Sequence, residues 1–514
     1  MKKAFGSLGI VFLITGMLLL TVKTPAAFAA SQADINNAID NGLAYLATTQ
    51  AADGHWGSFY YVATTAKAVL AFENAGHLAS DPLDPYQTNV QKGLDYLFAN
   101  AYVQAIGVQP AGDPDTNGNG FGIYFNDPWG QVVYQTPMVL MAIVGSQTQT
   151  ALATTGPVNV IGRQYNAIVT DIVDWLAWGQ CDPASGVYRG GWRYGPNDGS
   201  SDNSLSQWPT LGLMTAELWG INAPAFVKTE LLMWTAADQN LVGTPASNYF
   251  YGVFDYMPGA GINSIAETAT GILELTYCGV AKTDPRIIAA EGYINRDWLT
   301  TSGWRCNLGN FYGMYAVMKA CRLATPTPIQ FIANYDGTPG VEWYNGLNEY
   351  ADILVAHQYA DGHWAQWVDP GQSIPIDLST AWGVLILEFH PVVVNYKLTV
   401  TVLDAITGDP IEGATVLAEG PATYTENSGS DGEAVFDPIQ AGVYQISATA
   451  PPPHIPSVPQ TVSVFSDTEV ITELVSLPTN VIPEVPVGTI AASISMTIVL
   501  LGYLALPRLR KKRW

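Results

Sequence analysis

Between residues 35 and 389, apolar residues return every three to four positions in twelve stretches, each closed by a polar or glycine-bearing turn. The spacing predicts helices in consecutive pairs. The first pair is Gly42–Gln50 with Ala63–Ala75, followed by Gln91–Ala105 with Val132–Val144 and Tyr165–Gln180 with Leu205–Trp219. Phe226–Gln239 then pairs with Ile265–Cys278, Pro285–Thr300 with Phe311–Leu323, and Tyr350–Gln358 with Leu378–Phe389. The first member of each pair is amphipathic and the second more uniformly apolar, so the second helices belong inside and the first outside. A single hairpin cannot bury such a face, and six near-equal units close more readily than they stay open. The expected fold is mainly α: an (α/α)6 toroid of six helical hairpins over residues 31–391.

After Pro391 the period changes to two. Lys397-Leu398-Thr399-Val400-Thr401-Val402 alternates as a strand does, and Asp431-Gly432-Glu433-Ala434-Val435-Phe436 and Gly442–Ala448 follow the same rule. Residues 392–478 are therefore expected to form a small all-β sandwich, with residues 479–486 a proline-bearing linker. Both ends carry address signals. Lys2 and Lys3, the apolar run Leu8–Leu20 and Ala27-Phe28-Ala29 make residues 1–30 a secretory signal with a cleavage site. Residues 487–506 form an uncharged stretch long enough for a C-terminal transmembrane helix, and the basic residues of 507–514 belong on the cytoplasmic side. The expected product is an extracytoplasmic body anchored in the cell membrane through that helix.

The whole chain of 514 residues carries 21 Lys and Arg against 44 Asp and Glu. Setting aside the three lysines of residues 1–30 and the five basic residues of 508–514 leaves 13 basic against 44 acidic residues, a net charge of −31 for the body. Nucleic acid is excluded as a partner. Four cysteines, Cys181, Cys278, Cys306 and Cys321, are disulfide candidates in an oxidising exterior or, alternatively, buried thiols.

The first and last hairpins repeat one motif. Gly42-x-x-Tyr45-Leu46 leads to Gln50-Ala51-Ala52-Asp53-Gly54-His55-Trp56, and Tyr350 and Leu354 lead to Gln358-Tyr359-Ala360-Asp361-Gly362-His363-Trp364. This resembles the QW repeat of squalene cyclases, and Gly190-Gly191-Trp192-Arg193-Tyr194 with Ser201–Trp208 resembles the related prenyltransferase and squalene-oxidase repeats. The resemblance covers about residues 35–390 and implies the toroid, in a superfamily of cyclases, zinc prenyltransferases and non-catalytic binders. Gln50, Trp56, Gln358 and Trp364 read as staples across helix ends. His55 and His363, at equivalent positions, read as a repeated surface pair. The β region resembles carboxypeptidase-regulatory-like and Cna-B-like modules, which implies a stalk. Pro483-Glu484 before the apolar run resembles archaeosortase-type sorting signals, which implies a sortase-type processing enzyme as a partner.

The family chemistries lack their residues. No Asp-Asp dipeptide occurs, so the D-x-D-D acid of protonating cyclases and the D-D-x-x-D motif are both missing. Asn310-Phe311-Tyr312-Gly313-Met314 stands where zinc prenyltransferases have D-F-Y-H-T, so no metal and no cofactor is expected. Asp113-Pro114-Asp115 lies in a Gly/Asn/Pro loop and reads as a turn-rich insertion with at most weak cation affinity. Asp202, Glu267 and Asp377, near inner-helix starts, are the catalytic candidates for a carbohydrate-active barrel, although Asp202 and Asp377 also suit N-caps. With 15 Trp, 26 Tyr and 16 Phe, aromatics concentrate at loop–helix junctions, and Trp192, Tyr194, Trp208, Trp304 and Tyr312 are the ligand-binding candidates. The ligand expected is an isoprenoid or a glycan. The preferred reading is a divergent or non-catalytic ligand-binding head. The alternatives are an enzyme, either a terpenoid cyclase or a carbohydrate-active barrel, and a structural surface or adhesion protein.

Overall fold

The computed structural model describes residues 29–476 except 301–302, 347–348, 369–372, 389–394, 420–422, 441, 452–453 and 465–467. The signal segment up to residue 28, the linker, the apolar run 487–506 and the basic tail lie outside the described residues. Among the described residues no helix is long and apolar enough to cross a membrane. Contacts divide the chain into two compact units between Val392 and Val393.

Among the described residues the first unit contains twelve α-helices in six hairpins. They are α1 (Gln32–Thr49) with α2 (Tyr61–Asn74), α3 (Gln87–Ala99) with α4 (Val132–Gly145), α5 (Tyr165–Trp178) with α6 (Asn203–Glu217), α7 (Ala225–Asp238) with α8 (Ile265–Tyr277), α9 (Pro285–Asp297) with α10 (Phe311–Leu323), and α11 (Tyr350–His357) with α12 (Ile376–Leu387). Each even-numbered helix packs on the next even-numbered one, and α12 packs back on α2, so the inner ring is closed. The inner helices are buried nearly all round. In α8 every residue is buried, whereas α1 buries only a stripe from Ile35 to Leu46. Outer helices sit against the ring from outside: α3 on α2 and α4, α5 on α4 and α6, α1 on α12 and α2.

The repeat motif supplies the joints. In four hairpins a glutamine at the end of the outer helix donates its amide both to a glycine carbonyl of its own turn and to the backbone of the next outer helix. Gln50 reaches Gly54 and Asn89, Gln180 reaches Gly190 and Val227, Gln239 reaches Gly252 and Arg286, and Gln358 reaches Gly362 and Ala38. The last of these ties the sixth hairpin to the first. The indoles of Trp56, Trp192 and Trp364 donate to Leu46, Leu176 and Leu354 at distances of 2.7, 2.9 and 2.8 Å, locking each turn onto its own outer helix. The glycines cannot be replaced freely. Gly190 has φ +88°, and a Cβ there would stand 1.9 Å from the Glu230 carbonyl oxygen.

One predicted helix is too long. Helix α3 stops at Ala99, and Ala101–Ala105 forms strand β1, paired antiparallel with β2 (Phe121–Phe125) beside α5. Residues after Asn100 find backbone partners across this hairpin instead of along a helix. A second small hairpin joins β3 (Phe331–Ala333) and β4 (Pro339–Glu342).

The second unit is a sandwich of two four-stranded sheets. Its strands are β5 (Asn395–Asp404), β6 (Thr415–Glu419), β7 (Thr423–Asn427), β8 (Glu433–Gln440), β9 (Gly442–Thr449), β10 (His454–Ile455), β11 (Gln460–Val464) and β12 (Thr468–Ser476). The sheet orders are β10-β12-β5-β8 and β11-β9-β6-β7, with β12 parallel to β5. Leu398, Val400 and Val402 alternate into a core completed by Val416, Phe436 and Tyr444.

Several carboxyls of the helical unit are buried, and burial outweighs their neighbours and raises their pKa above the ordinary range. Burial pushes Glu291 and Glu342 up to about 7 and Glu267 and Glu349 up to about 8, and it raises Glu73, Glu274 and Glu388 well above the usual value. Between the ordinary 4.5 and these values the folded chain keeps protons that the unfolded chain releases, so stability falls as pH rises through that window. Buried Lys67 and Lys319, the latter brought down to about 7, act oppositely, chiefly above pH 7. The melting temperature of the helical unit is therefore expected to drop by about 5–10 °C from pH 5 to pH 7.5. Calorimetry across that range checks it.

Candidate functional site

The N-terminal ends of the inner helices surround a cleft with two lobes. One lobe, of about 310 Å3, is walled by Tyr60, Tyr134, Tyr194, Trp208, Tyr312 and Trp382. The other, of about 290 Å3, is lined by Tyr256, Ser264, Glu267, Asn310 and Gln366. Tyr194, Tyr312 and Ile374 border both lobes. Trp208 forms the floor, stacked on Trp382 (centroids 6.2 Å apart, planes at 12°) and on Tyr315 (5.9 Å, 17°). Beneath it the Lys67 amine lies 4.9 Å from the Trp208 ring and bonds the Tyr315 hydroxyl at 3.2 Å, and burial lowers its pKa well below the usual lysine range.

Backbone strain gathers at this mouth. Tyr60 and Gln131, the residues immediately before α2 and α4, both have left-handed φ, +52° and +65°, and both line the first lobe. Bulky non-glycine residues adopt this conformation rarely, and such outliers cluster at functional sites.

A hydrogen-bond relay orders the tyrosines. Asp202 caps α6: its Oδ1 accepts from the Leu205 amide at 3.0 Å and from the Ser204 hydroxyl at 2.6 Å. Its Oδ2 accepts from the Tyr256 hydroxyl at 3.1 Å and faces the Arg193 guanidinium at 3.5 Å. Because Ser204 gives its proton to Asp202, its oxygen accepts from Tyr134 at 2.7 Å. Tyr256 likewise accepts from Tyr194 at 3.4 Å. Tyr312 donates to the Ser204 carbonyl at 2.6 Å and accepts from Gln207. Asp202 is thus fully buried behind the wall, where it orients hydroxyls that face the cleft.

Glu267 is the carboxyl on the wall among the described lining residues. It sits in the first turn of α8, whose cap Ser264 accepts from the Glu267 amide at 3.1 Å. Its Oε2 is buried without a partner. Burial, and then the charge of Asp202, push its pKa up to about 8, so at neutral pH it is a carboxylic acid able to donate.

The other sequence candidates lie elsewhere. Asp377 is not a cap: Pro375 is, and Asp377 inside the first turn of α12 accepts from the Gly57 amide at 2.8 Å, clasping the sixth hairpin to the first. Trp192 is fully buried as a staple and does not line the cleft, whereas Tyr194, Trp208 and Tyr312 do. The side chain of Trp304 lies outside the described set. The disulfide expectation gives way for Cys181, Cys278 and Cys321, which are free thiols; Cys181 and Cys278 bond the carbonyls of Ser200 and Lys228. Cys306 is buried just before α10. His55 and His363 each bond an aspartate two residues earlier, Asp53 and Asp361, at 2.6 Å on the outside of the ring. Among the described residues no three His, Cys, Asp or Glu side chains gather as a metal-holding group. Tyr134, Tyr256 and Trp382 were not singled out from sequence; their common signal is an aromatic within the first two turns of an inner helix or in the loop before one.

No family model and no curated protein matches the chain. Among solved structures, the family 15 glucoamylase of Hypocrea jecorina overlaps 85% of this chain and 100% of its own, at 10% identity and a TM-score of 0.34. The Hormoconis resinae glucoamylase overlaps 87% and 99%, at 12% identity and a TM-score of 0.35. The Bacillus anthracis TIE protein overlaps 16% of this chain and 17% of its own, at 12% identity and a TM-score of 0.14. Overlaps this loose add nothing to the closed ring of α/α hairpins seen in the chain itself.

Proposed function

We propose that the helical unit is a binding head for a neutral saccharide, seated in the cleft at the N-terminal ends of the inner helices. The observation that carries this reading is the lining. Flat aromatic faces (Trp208, Trp382, Tyr312) alternate with hydroxyls and amides (Tyr134, Tyr194, Tyr256, Ser264, Asn310, Gln366), and Glu267, the one carboxyl among the described lining residues, is held neutral. Sugar rings offer apolar faces for stacking and hydroxyls that both donate and accept, and a neutral carboxyl can do both in return. An isoprenoid would leave these hydroxyls unpaired. An acid of pKa about 8 is also far too weak to protonate an alkene, which argues against cyclase chemistry. The resemblance to squalene-cyclase and prenyltransferase repeats is then one of scaffold. In the same reading the body is exported, held at the membrane by residues 487–506 unless a sortase-type enzyme removes them, with the β sandwich as its stalk.

A second reading, glycan hydrolysis, is favoured by Glu267 alone, since a raised carboxyl is what a general acid requires. Such hydrolases use a second carboxyl facing the substrate, and Asp202 is turned away. Glu267→Gln separates the two. Glutamine still donates and accepts, so saccharide affinity measured by calorimetry should stay within about threefold. A turnover that is present in the native chain and lost by about 10^3-fold in the variant would replace binding with catalysis.

A further inference from the structure

We propose that the loop at the tip of the β1–β2 hairpin, together with the α5 helix beneath it, is a calcium site. The loop reads Asp115-Thr116-Asn117-Gly118-Asn119-Gly120, oxygen-bearing side chains at alternate positions followed by a glycine. Its backbone is already wound about the first of them. The Asp115 carboxylate accepts from the amides of Gly118 (2.8 Å), Asn119 (3.3 Å) and Gly120 (2.8 Å), and Gly118 and Gly120 have φ of +72° and +78°.

The side chains converge on one point of α5. The amide nitrogens of Asn117 and Asn119 both donate to Asp171 Oδ1, each at 2.8 Å, and Asp171 is fully buried. Turning the two amides about their last torsion gives up the bonds their oxygens accept from the Asn119 and Phe121 amides, and brings two carbonyl oxygens to the carboxylate, the hard-oxygen set that calcium selects. Arg163, bonded to Asp171 Oδ2 at 2.6 Å, holds that carboxylate in place.

A second, independent observation falls at the same place: a buried carboxylate oxygen with no partner. Asp174, one turn further along α5, is fully buried; its Oδ1 accepts from Thr116 of the same loop at 2.7 Å, and its Oδ2 has no partner. A buried carboxylate oxygen left without a partner is costly unless a counter-charge meets it. Amides supply as much of this donor set as carboxylates do, so flexible coordination of calcium fits it better than the rigid octahedron of magnesium. A bound ion would pin the hairpin onto the outer ring.

The test is calorimetric titration of EGTA-treated full chain with CaCl2 alone, paired with melting curves. The site predicts one equivalent bound and a rise of about 3–6 °C in the melting of the helical unit at about 2 mM calcium. Magnesium at the same concentration should do much less. Asp171→Asn should weaken binding at least about tenfold, and Asn119→Asp, which adds a carboxylate, should tighten it by a similar factor. Absence of saturable binding, several weak equivalents spread over the acidic surface, or undiminished affinity in Asp171→Asn would overturn the proposal. If Asp171→Asn does not fold, an unchanged affinity in Asn119→Asp overturns it by itself.

Discussion

Gly190→Ala is expected to leave the helical unit largely insoluble, or folded with a melting temperature lower by more than about 10 °C. Two costs coincide there. The backbone is left-handed at φ +88°, and the new Cβ would lie 1.9 Å from Glu230 O, a backbone atom that cannot give way without moving α7. Gly199→Ala supplies the control: its φ is +82°, yet nothing stands within 4 Å of its Cβ position. That variant should lose only about 1 kcal/mol from backbone strain. Soluble yield and thermal melts of both variants check the prediction, and equal losses would show that the close approach of hairpin three to α7 does not matter. Because Gly54, Gly252 and Gly362 meet carbonyl oxygens at 2.3, 2.0 and 2.2 Å in the same way, alanine at any of them should behave like Gly190→Ala.

Trp208→Ala is expected to cost about 3–5 kcal/mol of stability. The side chain is 1% exposed, stacked on two other rings and in contact with the buried Lys67 amine, so its removal opens a void on the ring axis. If the cleft takes a saccharide, the same change removes its stacking floor, and affinity should fall by more than about tenfold. Trp192→Ala should be similarly destabilising, since that indole is fully buried and bonded to Leu176, yet it should leave the affinity of the folded fraction unchanged. Chemical denaturation followed by calorimetry on the folded fraction separates the two effects. Trp208→Phe, which keeps a ring in place, gives a milder version of the same contrast.

Those two tryptophans also show what sequence can and cannot reveal. Local periodicity sufficed for the twelve helices and their pairing, because an inner helix such as α4 is apolar nearly all round and an outer one such as α1 only on a single stripe. Short-range chemistry likewise marked Asp202 as a cap and Gln50, Trp56, Gln358 and Trp364 as joints. The function of an aromatic is set by what lies across the ring from it. Trp192 and Trp208 both flank a loop–helix junction of the third hairpin; the indole of one turns outward to Leu176, while the other meets Trp382 and Tyr315, more than 100 residues away in sequence. Asp377 looked like a cap because a polar residue preceded an apolar run, but its partner is the Gly57 amide, 320 residues away in sequence and adjacent across the ring closure. Left-handed Tyr60 and Gln131 carry no local signal, since tertiary contacts impose their conformation. The short strand β1 was hidden because Tyr102 and Val103 continue the apolar spacing of α3, and only its pairing with β2 shows where the helix ends.

The most direct test of the binding account is a calorimetric titration of the purified chain with a panel of neutral oligosaccharides, run beside Trp208→Phe and Trp192→Phe. Saturable binding of one equivalent, weakened in Trp208→Phe and unchanged in Trp192→Phe, is the predicted result. Failure of every neutral oligosaccharide to bind, or an affinity indifferent to Trp208, would contradict it.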